Sequence, residues 1–348
     1  MMLAPTDLST EIKKRAALTL FGAIFCLLTS AGQVSAQAID IPAIMNPDLN
    51  APPTIATLQY GHQFKTDVDD NSEMSRNNAF LSLSQRIKVA DKTSVFLLGS
   101  YTLQAYNFSG GRNADPIGGP PPLRSPDQSY YQWDDVHRGV IAALVGHDLN
   151  DRWRLIGGAL VRSWGEGGAN FGDTITGGII AGFDYHPNED FSIGLILGAF
   201  SALEDHVGIL PVPTLKWQFA ENWKWTVGLT TVLDPGVGSE LEFTINDEFS
   251  IGAGFTYQTR RFRLGDGNRA GNNPSRPGRD DDGGVGQETE LPVFVQIRWR
   301  PIPAAAIDLL GGVALAGHLR VEDNDGDRIA DDDYDAAPFV GLKGQVFF

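Results

Sequence analysis

The last twelve residues, Ala337-Pro-Phe-Val-Gly-Leu-Lys-Gly-Gln-Val-Phe-Phe348, form a strongly patterned strand. Its two faces alternate with the period of two that an extended backbone imposes. One face carries Val340, Leu342, Val346 and Phe348, and the other carries Gly341, Lys343 and Gln345. Chain termini usually fray, so an apolar strand that runs to the last residue needs a partner. A closed membrane barrel supplies one, because its last strand pairs with its first. The alternative is the buried last strand of a soluble β-sandwich.

The first 36 residues have the pattern of a secretory signal peptide. Three basic residues, Lys13 to Arg15, precede an apolar run over 16–28, and Val34-Ser35-Ala36 supplies small residues for cleavage before Gln37. The apolar run is too short to span a bilayer as a helix. The only cysteine, Cys26, lies within it. The mature chain is therefore predicted to contain no disulfide.

The charge balance of the chain is acidic. Its 43 Asp and Glu outnumber 27 Lys and Arg, which gives a net charge of −16. Removing 1–36, with its three basic and two acidic residues, makes the net charge −17. Such an acidic chain is not expected to have a basic surface that could bind the phosphates of nucleic acid. Nucleic acid is therefore not an expected partner.

Fourteen alternating runs follow a short, proline-containing segment, 37–53, which we predict to be periplasmic. The runs are 54–65, 77–89, 93–108, 136–149, 152–164, 174–186, 191–201, 208–219, 223–233, 237–246, 249–264, 287–301, 304–321 and 337–348. Nearly all reach the roughly 9–11 residues of a membrane-spanning strand. The sequence therefore predicts an all-β fold over 54–348. This fold is a single up-and-down antiparallel transmembrane β-barrel of about 14 strands, with 12–16 as the range.

The connections between these runs alternate in length, as they do in barrels with short periplasmic turns and long outer loops. The predicted outer loops are 66–76, 109–135, 165–173, 202–207, 265–286 and 322–336. Only the connection at Asp234-Pro235-Gly236 is short on that side. At the short turns an aromatic residue follows a polar one, giving Trp153, Phe191, Trp223 and Phe249. We interpret these rings as an interfacial girdle, with ordinary hairpin packing as the alternative.

Charged residues recur two apart on strands whose other face is apolar, which indicates one face in lipid and one wet face. The predicted lumen residues are Glu240, Glu242, Arg260, Arg298, Arg300, Asp308 and Arg320. Glu240, Glu242, Arg260 and Arg298 come from three consecutive strands and are expected to form a ladder. Such charges either tune the selectivity of a pore or only neutralise one another inside a narrow barrel.

One predicted outer loop carries carboxylates at alternate positions, as a calcium-binding loop does. The candidate calcium ligands are Asp323, Asp325, Asp327, Asp331 and Asp332. The run resembles the aspartate-rich calcium repeats of thrombospondin type-3 modules, from which it departs at Arg328 and Tyr334. The alternative is a solvated acidic loop.

Motifs for covalent chemistry are missing from the sequence. The histidines show no zinc-binding spacing, and no phosphate-binding loop or nucleophile elbow is found. Apart from the candidate calcium, no cofactor is predicted. The chain is predicted not to be an enzyme.

The terminal Phe348 resembles the assembly signal of bacterial outer-membrane proteins, although Lys343 stands where that signal usually has a glycine. The segments 215–225, 257–264 and 323–339 resemble an uncharacterised family of Gram-negative outer-membrane β-barrels, a domain of unknown function. The resemblance implies location in the cell outer membrane, contact with its lipid and lipopolysaccharide, and delivery by the barrel-assembly machinery. It implies no activity.

A porin-like channel for the passage of small solutes is the function that these patterns favour. Two alternatives stay open at this point. One is a channel for hydrophobic substrates. The other is a non-conducting barrel with a structural or surface-interaction role.

Overall fold

Antiparallel pairing joins consecutive strands from the first to the fourteenth, and the last strand pairs with the first. The structure is a computed structural model, which describes residues 54–110, 131, 133–203, 207–265 and 283–348. The predicted signal peptide and the 37–53 segment lie outside these residues, as do most of the 109–135 and 265–286 connections.

The barrel contains fourteen strand positions, as predicted. Its strands are β1 (Thr54–Val68), β2 (Ser72–Ala90), β3 (Thr93–Gly110), β4 (Asp135–Asp148), β5 (Trp153–Glu166), β6 (Ile175–Asn188), β7 (Phe191–Ser201), β8 (Val207–Ala220), β9 (Trp223–Thr231), β10 (Pro235–Thr244), β11 (Phe249–Arg263), β12 (Val285–Ile302), β13 (Ala305–Glu322), β14 (Arg328–Tyr334) and β15 (Ala337–Phe347). The short β14 and β15 share one position, because both pair with β13 on one side and with β1 on the other.

The terminal strand closes the barrel. β15 pairs with β1 from Ile55–Phe347 to Gln63–Phe339. At the end of this seam the backbone N–H of Thr54 donates to the carbonyl of Phe348 at 2.8 Å, and the N–H of Phe348 donates back at 3.0 Å. The closing role predicted for this strand is confirmed, and in lipid it satisfies backbone groups that would otherwise have no partner.

The outer face of the barrel is apolar. Ile141 is 75% exposed and Leu342 is 54% exposed, although both are aliphatic. At the short-turn end Trp153, Phe249 and Trp299 are also exposed, and the rings of the last two stack with their centroids 6.4 Å apart. An apolar band bordered by aromatic rings is the surface that a bilayer requires.

Helical structure in the described residues is limited to the 3-10 turn Phe171–Thr174. No helix there is long and apolar enough to cross a membrane.

Two predicted outer loops are largely strand. β1 continues to Val68, and β2 begins at Ser72. A turn at 69–71 therefore replaces the predicted loop 66–76. β14 occupies 328–334, within the predicted loop 322–336. Ladder hydrogen bonds need no apolar side chains, so strands extend beyond the lipid. Hydrophobic alternation therefore marks only the part of each strand that faces lipid.

A bulge in β13 changes which side chains face inward. Ala316 has a positive φ of 51°, and the β12–β13 register shifts between Thr289 and Leu291. Beyond this bulge Leu319 and Val321 are buried inside, and Arg320 lies on the opposite, outer face. The assignment of Arg320 to the lumen is therefore wrong, because the bulge reverses the alternation on which it was based.

The wall is least continuous between β8 and β9. The described ladder between these strands ends at the pair Leu215–Val227, although β8 begins at Val207. Pro211 and Pro213 lie in the outer half of β8, and proline has no N–H to donate to a neighbour. The end of β9 is thus held mainly by β10, and the chain that follows it, Val232–Asp234, turns into the barrel.

Moving a charge by one residue along β15 tests the lipid-facing assignment. Lys343 faces inward and pairs with Asp308, whereas Leu342 faces lipid close to mid-strand. We expect Leu342→Lys to lower the free energy of unfolding by about 2–4 kcal/mol, measured by urea unfolding in lipid vesicles. The control is Asp335→Lys, at an exposed position between β14 and β15. Equal stability of the two variants would show that Leu342 does not face lipid.

Candidate functional site

The lumen is the candidate site, and its side chains fall into successive groups from the long-loop end to the short-turn end. The order is visible along β12, whose inward residues are Glu288 and Glu290, then Phe294, then Arg298. The first two belong to a buried ionic network, Phe294 to an apolar cluster, and Arg298 to a second ionic group. An aromatic cap lies beyond the network at the long-loop end.

The aromatic cap consists of Tyr106, Tyr131, Trp133 and Phe262, all buried. The Trp133 ring lies 5.3 Å from that of Phe262 and 5.4 Å from that of Tyr131. The Tyr131 hydroxyl donates to Asp332 at 2.8 Å, and burial together with this hydrogen bond raises the pKa of Tyr131. The cap covers the outer end of the lumen with edge-to-face aromatic contacts.

The outer end is also pinched from side to side. Arg263 of β11 pairs with Gly165 of β5 across the barrel, and the N–H of Gly265 donates to the Glu166 carboxylate at 2.7 Å. β5 and β11 are not neighbours around the wall. Their contact therefore narrows the mouth of the barrel.

A buried ionic network crosses the lumen beneath the cap. It contains three arginines and three carboxylates: Arg76, Arg138, Arg260, Asp234, Glu288 and Glu290. Arg76 and Arg260 share the carboxylate of Glu290 at 2.8 and 2.7 Å. Tyr334 also donates to Glu290, at 2.8 Å. Buried charges of this kind persist only when each is paired and hydrogen-bonded.

The connection Val232–Asp234, here named the closing segment, lies inside the lumen. Its backbone carbonyls accept hydrogen bonds from the side-chain amides of Gln59 on β1, Asn78 on β2 and Gln258 on β11. The Asp234 carboxylate accepts from Arg138 on β4, from Arg260 Nε at 2.9 Å and from Gln104 on β3 at 3.1 Å. Side chains from five strands therefore hold three residues across the barrel.

Apolar contacts seat the same segment. Val232 and Leu233 cluster with Phe294, Leu310 and Phe339, all buried. Leu233 reaches the far wall at Gly61, where a Cβ would lie only 2.6 Å from Leu233 Cδ2. A side chain at position 61 would displace the leucine, so this glycine makes room for the segment.

The second ionic group lies at the short-turn end. Arg298 donates to Asp308 at 2.7 Å and to Glu242 at 3.2 Å, and Lys343 reaches Asp308 at 2.8 Å. Arg300 lies 3.7 Å from Glu242, and Gln296 donates to Glu240 at 2.5 Å.

The structure brings together five of the predicted lumen residues and separates two. The five at the short-turn end are Glu240, Glu242, Arg298, Arg300 and Asp308. Arg260 belongs to the upper network, so the expected ladder is divided in two. Arg320 lies outside, 3.6 Å from Glu322 and 3.7 Å from Asp331.

Asp234, Arg76, Glu288 and Glu290 carry the upper network but are not among the predicted site residues. A sequence signal existed for some of them. Glu288 and Glu290 lie two apart on the strand that follows Arg260, and Asp234 lies in the one short connection on the long-loop side. The inward turn of that connection depends on contacts with distant strands, which no local pattern reports.

The five candidate calcium ligands do not converge. Asp323 Oδ1 accepts from the backbone N–H groups of Asp325 and Asp327, at 2.9 Å each, which closes the 323–327 turn. Asp331 pairs with His318 at 2.7 Å, and Asp332 faces inward to Tyr131. Within the described ranges no group of three or more His, Asp or Glu is placed to hold a metal. Calcium binding by the turn stays a prediction.

Solved structures of channels and porins are similar to this chain, at low sequence identity. An outer-membrane channel from Pseudomonas putida F1 is 14% identical, with a TM-score of 0.43 over 86% of this chain and 96% of its own. A mutant of the TodX monoaromatic hydrocarbon channel is 8% identical, with a TM-score of 0.45 over 85% and 90%. The KdgM porin in complex with disordered oligogalacturonate is 9% identical, with a TM-score of 0.34 over 84% and 99%.

No protein-family model matches the chain, and a search of curated proteins finds no relative. The distant structural likenesses do not transfer a solute to this chain. The closed barrel and its lipid-facing band are those of a cell outer-membrane protein.

Removing one arginine tests the upper network. Arg260→Met would remove the cation that Asp234, Glu288 and Glu290 all contact, and would leave three buried carboxylates with only two arginines. We expect the free energy of unfolding in vesicles to fall by about 3–5 kcal/mol. Arg328→Met is the matched control, because its exposed pair with Asp331 contributes at most about 1 kcal/mol. Equal losses in both variants would contradict a coupled network.

Proposed function

We propose that the chain is a channel for small solutes that the closing segment holds shut. The observation that carries this proposal is the position of Val232–Asp234 inside the lumen, bound by side chains of five strands. These residues form a connection outside the ladder of the wall. Their movement would break side-chain contacts while the paired strands keep the barrel intact.

The chemistry of the lumen supports a path for polar solutes. Three arginines and three carboxylates are buried in the upper network, where desolvation opposes much of their mutual attraction. A barrel interior that served packing alone would be as stable with apolar side chains of similar volume. Fixed charges along a path are the means by which pores select ions and polar solutes.

A non-conducting barrel is the second candidate, and the filling of the lumen favours it. The aromatic cap, the upper network and the cluster around Leu233 occupy successive levels. In either case the proposal is of a non-enzymatic protein that the barrel-assembly machinery inserts and that meets lipopolysaccharide at its outer rim.

Conductance of the refolded protein in planar bilayers tests the closing role. Leu233→Ala with Asp234→Ala removes the seat at Gly61 and the hydrogen bonds from Arg138 and Arg260. Hydrogen bonds to charged groups contribute about 1.5–3 kcal/mol each, so we expect the open fraction to rise at least about tenfold.

The matched control is Glu189→Ala with Asp190→Ala in an exposed short turn. It should conduct as the unmodified protein does. If neither the variant nor the unmodified protein conducts, the non-conducting barrel is correct. If both conduct equally, the segment does not close the channel.

A further inference from the structure

The middle of the inner wall formed by β5 to β8 differs from the rest of the lumen because its buried side chains are apolar. The buried apolar residues there are Leu160, Ile180, Ile196, Phe200, Leu210 and Val212. The ionic network lies on the other side, where Arg76, Arg260 and Glu290 project from β2, β11 and β12. The lumen therefore has one hydrocarbon wall and one charged wall.

Arg162 is a buried arginine next to this apolar part of the wall. Arg162 of β5 is 3% exposed, and its Nε donates to Thr176 Oγ1 at 2.8 Å. Its guanidinium lies 5.6 Å from the centroid of the Phe200 ring. Its Nη2 is buried without a hydrogen-bond partner, and among the described residues no carboxylate lies within ion-pair distance of it.

Arg162 differs in this from the other buried arginines of the described chain. Arg76, Arg138, Arg154, Arg260 and Arg261 each contact a carboxylate. An arginine does not lose its proton in proteins, so the charge of Arg162 persists. Arg138 adds a second positive charge close by, because it lies on β4 opposite Trp164, two residues from Arg162.

A second donor on the same face also lacks an acceptor. The Trp164 Nε1 is buried without a hydrogen-bond partner, and Trp164 follows Arg162 by two residues on the inner face of β5. The Arg162 and Trp164 side chains thus present two unpaired donors at adjacent inward positions. An acceptor that carries negative charge would satisfy both. The described part of the chain supplies none.

We infer that Arg162 binds the carboxylate of small organic acids whose hydrocarbon part lies on the apolar wall of β5 to β8. The inference rests on the proposed function and names its solute class. The planar guanidinium fork matches a carboxylate, and Phe200, Ile196 and Val212 offer the surface that a hydrocarbon part requires. A small inorganic anion would satisfy the charge but make no use of this wall.

The position of the site links it to the closing segment. Arg138, the cation beside Arg162, donates to the carboxylate of Asp234. The guanidinium of Arg138 thus already binds a carboxylate of the chain, that of Asp234. A solute carboxylate would bind to the same kind of group. An organic acid at Arg162 competes with Asp234 for Arg138 and favours release of the segment.

Binding to the full mature chain in detergent tests the inference without requiring conductance. The probes are hexanoate, which has both parts, hexan-1-ol, which lacks the charge, and acetate, which lacks the chain. Calorimetry should rank hexanoate tightest. In Arg162→Gln the hexanoate affinity should fall at least about tenfold, because a charge-assisted hydrogen bond is lost, while hexanol binding stays unchanged.

Arg154→Gln is the matched control, since Arg154 lies on the same strand and pairs with Asp148 at 2.6 Å. Its hexanoate affinity should equal that of the unmodified chain. Migration on gels with and without boiling verifies folding. If Arg162→Gln does not fold, Arg162→Lys replaces it, and hexanoate affinity should then fall by a smaller factor because the charge remains without the fork.

Equal hexanoate affinity in the unmodified chain and the Arg162 variant would overturn the inference. A chain that conducts but binds hexanoate independently of Arg162 would keep the proposed channel and lose this site. A chain that binds through Arg162 but never conducts would keep the site and lose the channel.

Discussion

The carboxylate of Asp234, buried between Arg138 and Arg260, is the interaction on which the interior of this barrel depends. The charge of each buried arginine must be neutralised by an anion. Asp234 is the third carboxylate of the upper network, and it makes the number of anions equal to the three arginines. Its backbone brings Leu233 to Gly61 and blocks the lumen. Asp234 thus completes the charge balance of the network and holds Leu233 in the lumen.

The position of Asp234 follows in turn from the demands of the wall. A barrel in lipid must pair every exposed backbone group, which β15 and β1 do at the closing seam. Between β8 and β9 the backbone pairing is least complete. Prolines interrupt β8, and the described ladder ends at Leu215–Val227. The chain that leaves β9 at this point is free to turn inward.

Fold and site differ in how far the sequence predicts them. Alternation along strands such as 337–348 arises locally from lipid on one side, so all fourteen strand positions were predictable, whereas the short β14 was not. The bulge at Ala316 was not, because one residue in a left-handed conformation reverses every later side chain without changing the composition. The network around Arg260 was missed in part because Asp234 contacts residues more than 90 positions away, such as Arg138.

A cysteine pair placed at Gly61 and Leu233 tests most directly whether the closing segment crosses the lumen. The predicted mature chain has no cysteine, so Gly61→Cys with Leu233→Cys creates a single pair at a contact that the structure makes close. The account predicts that the pair crosslinks under mild oxidation in folded, membrane-embedded protein, and that conductance is lowest in the crosslinked form and rises on reduction. Failure to crosslink in protein that is folded and membrane-embedded would contradict it, because the segment would then lie away from β1.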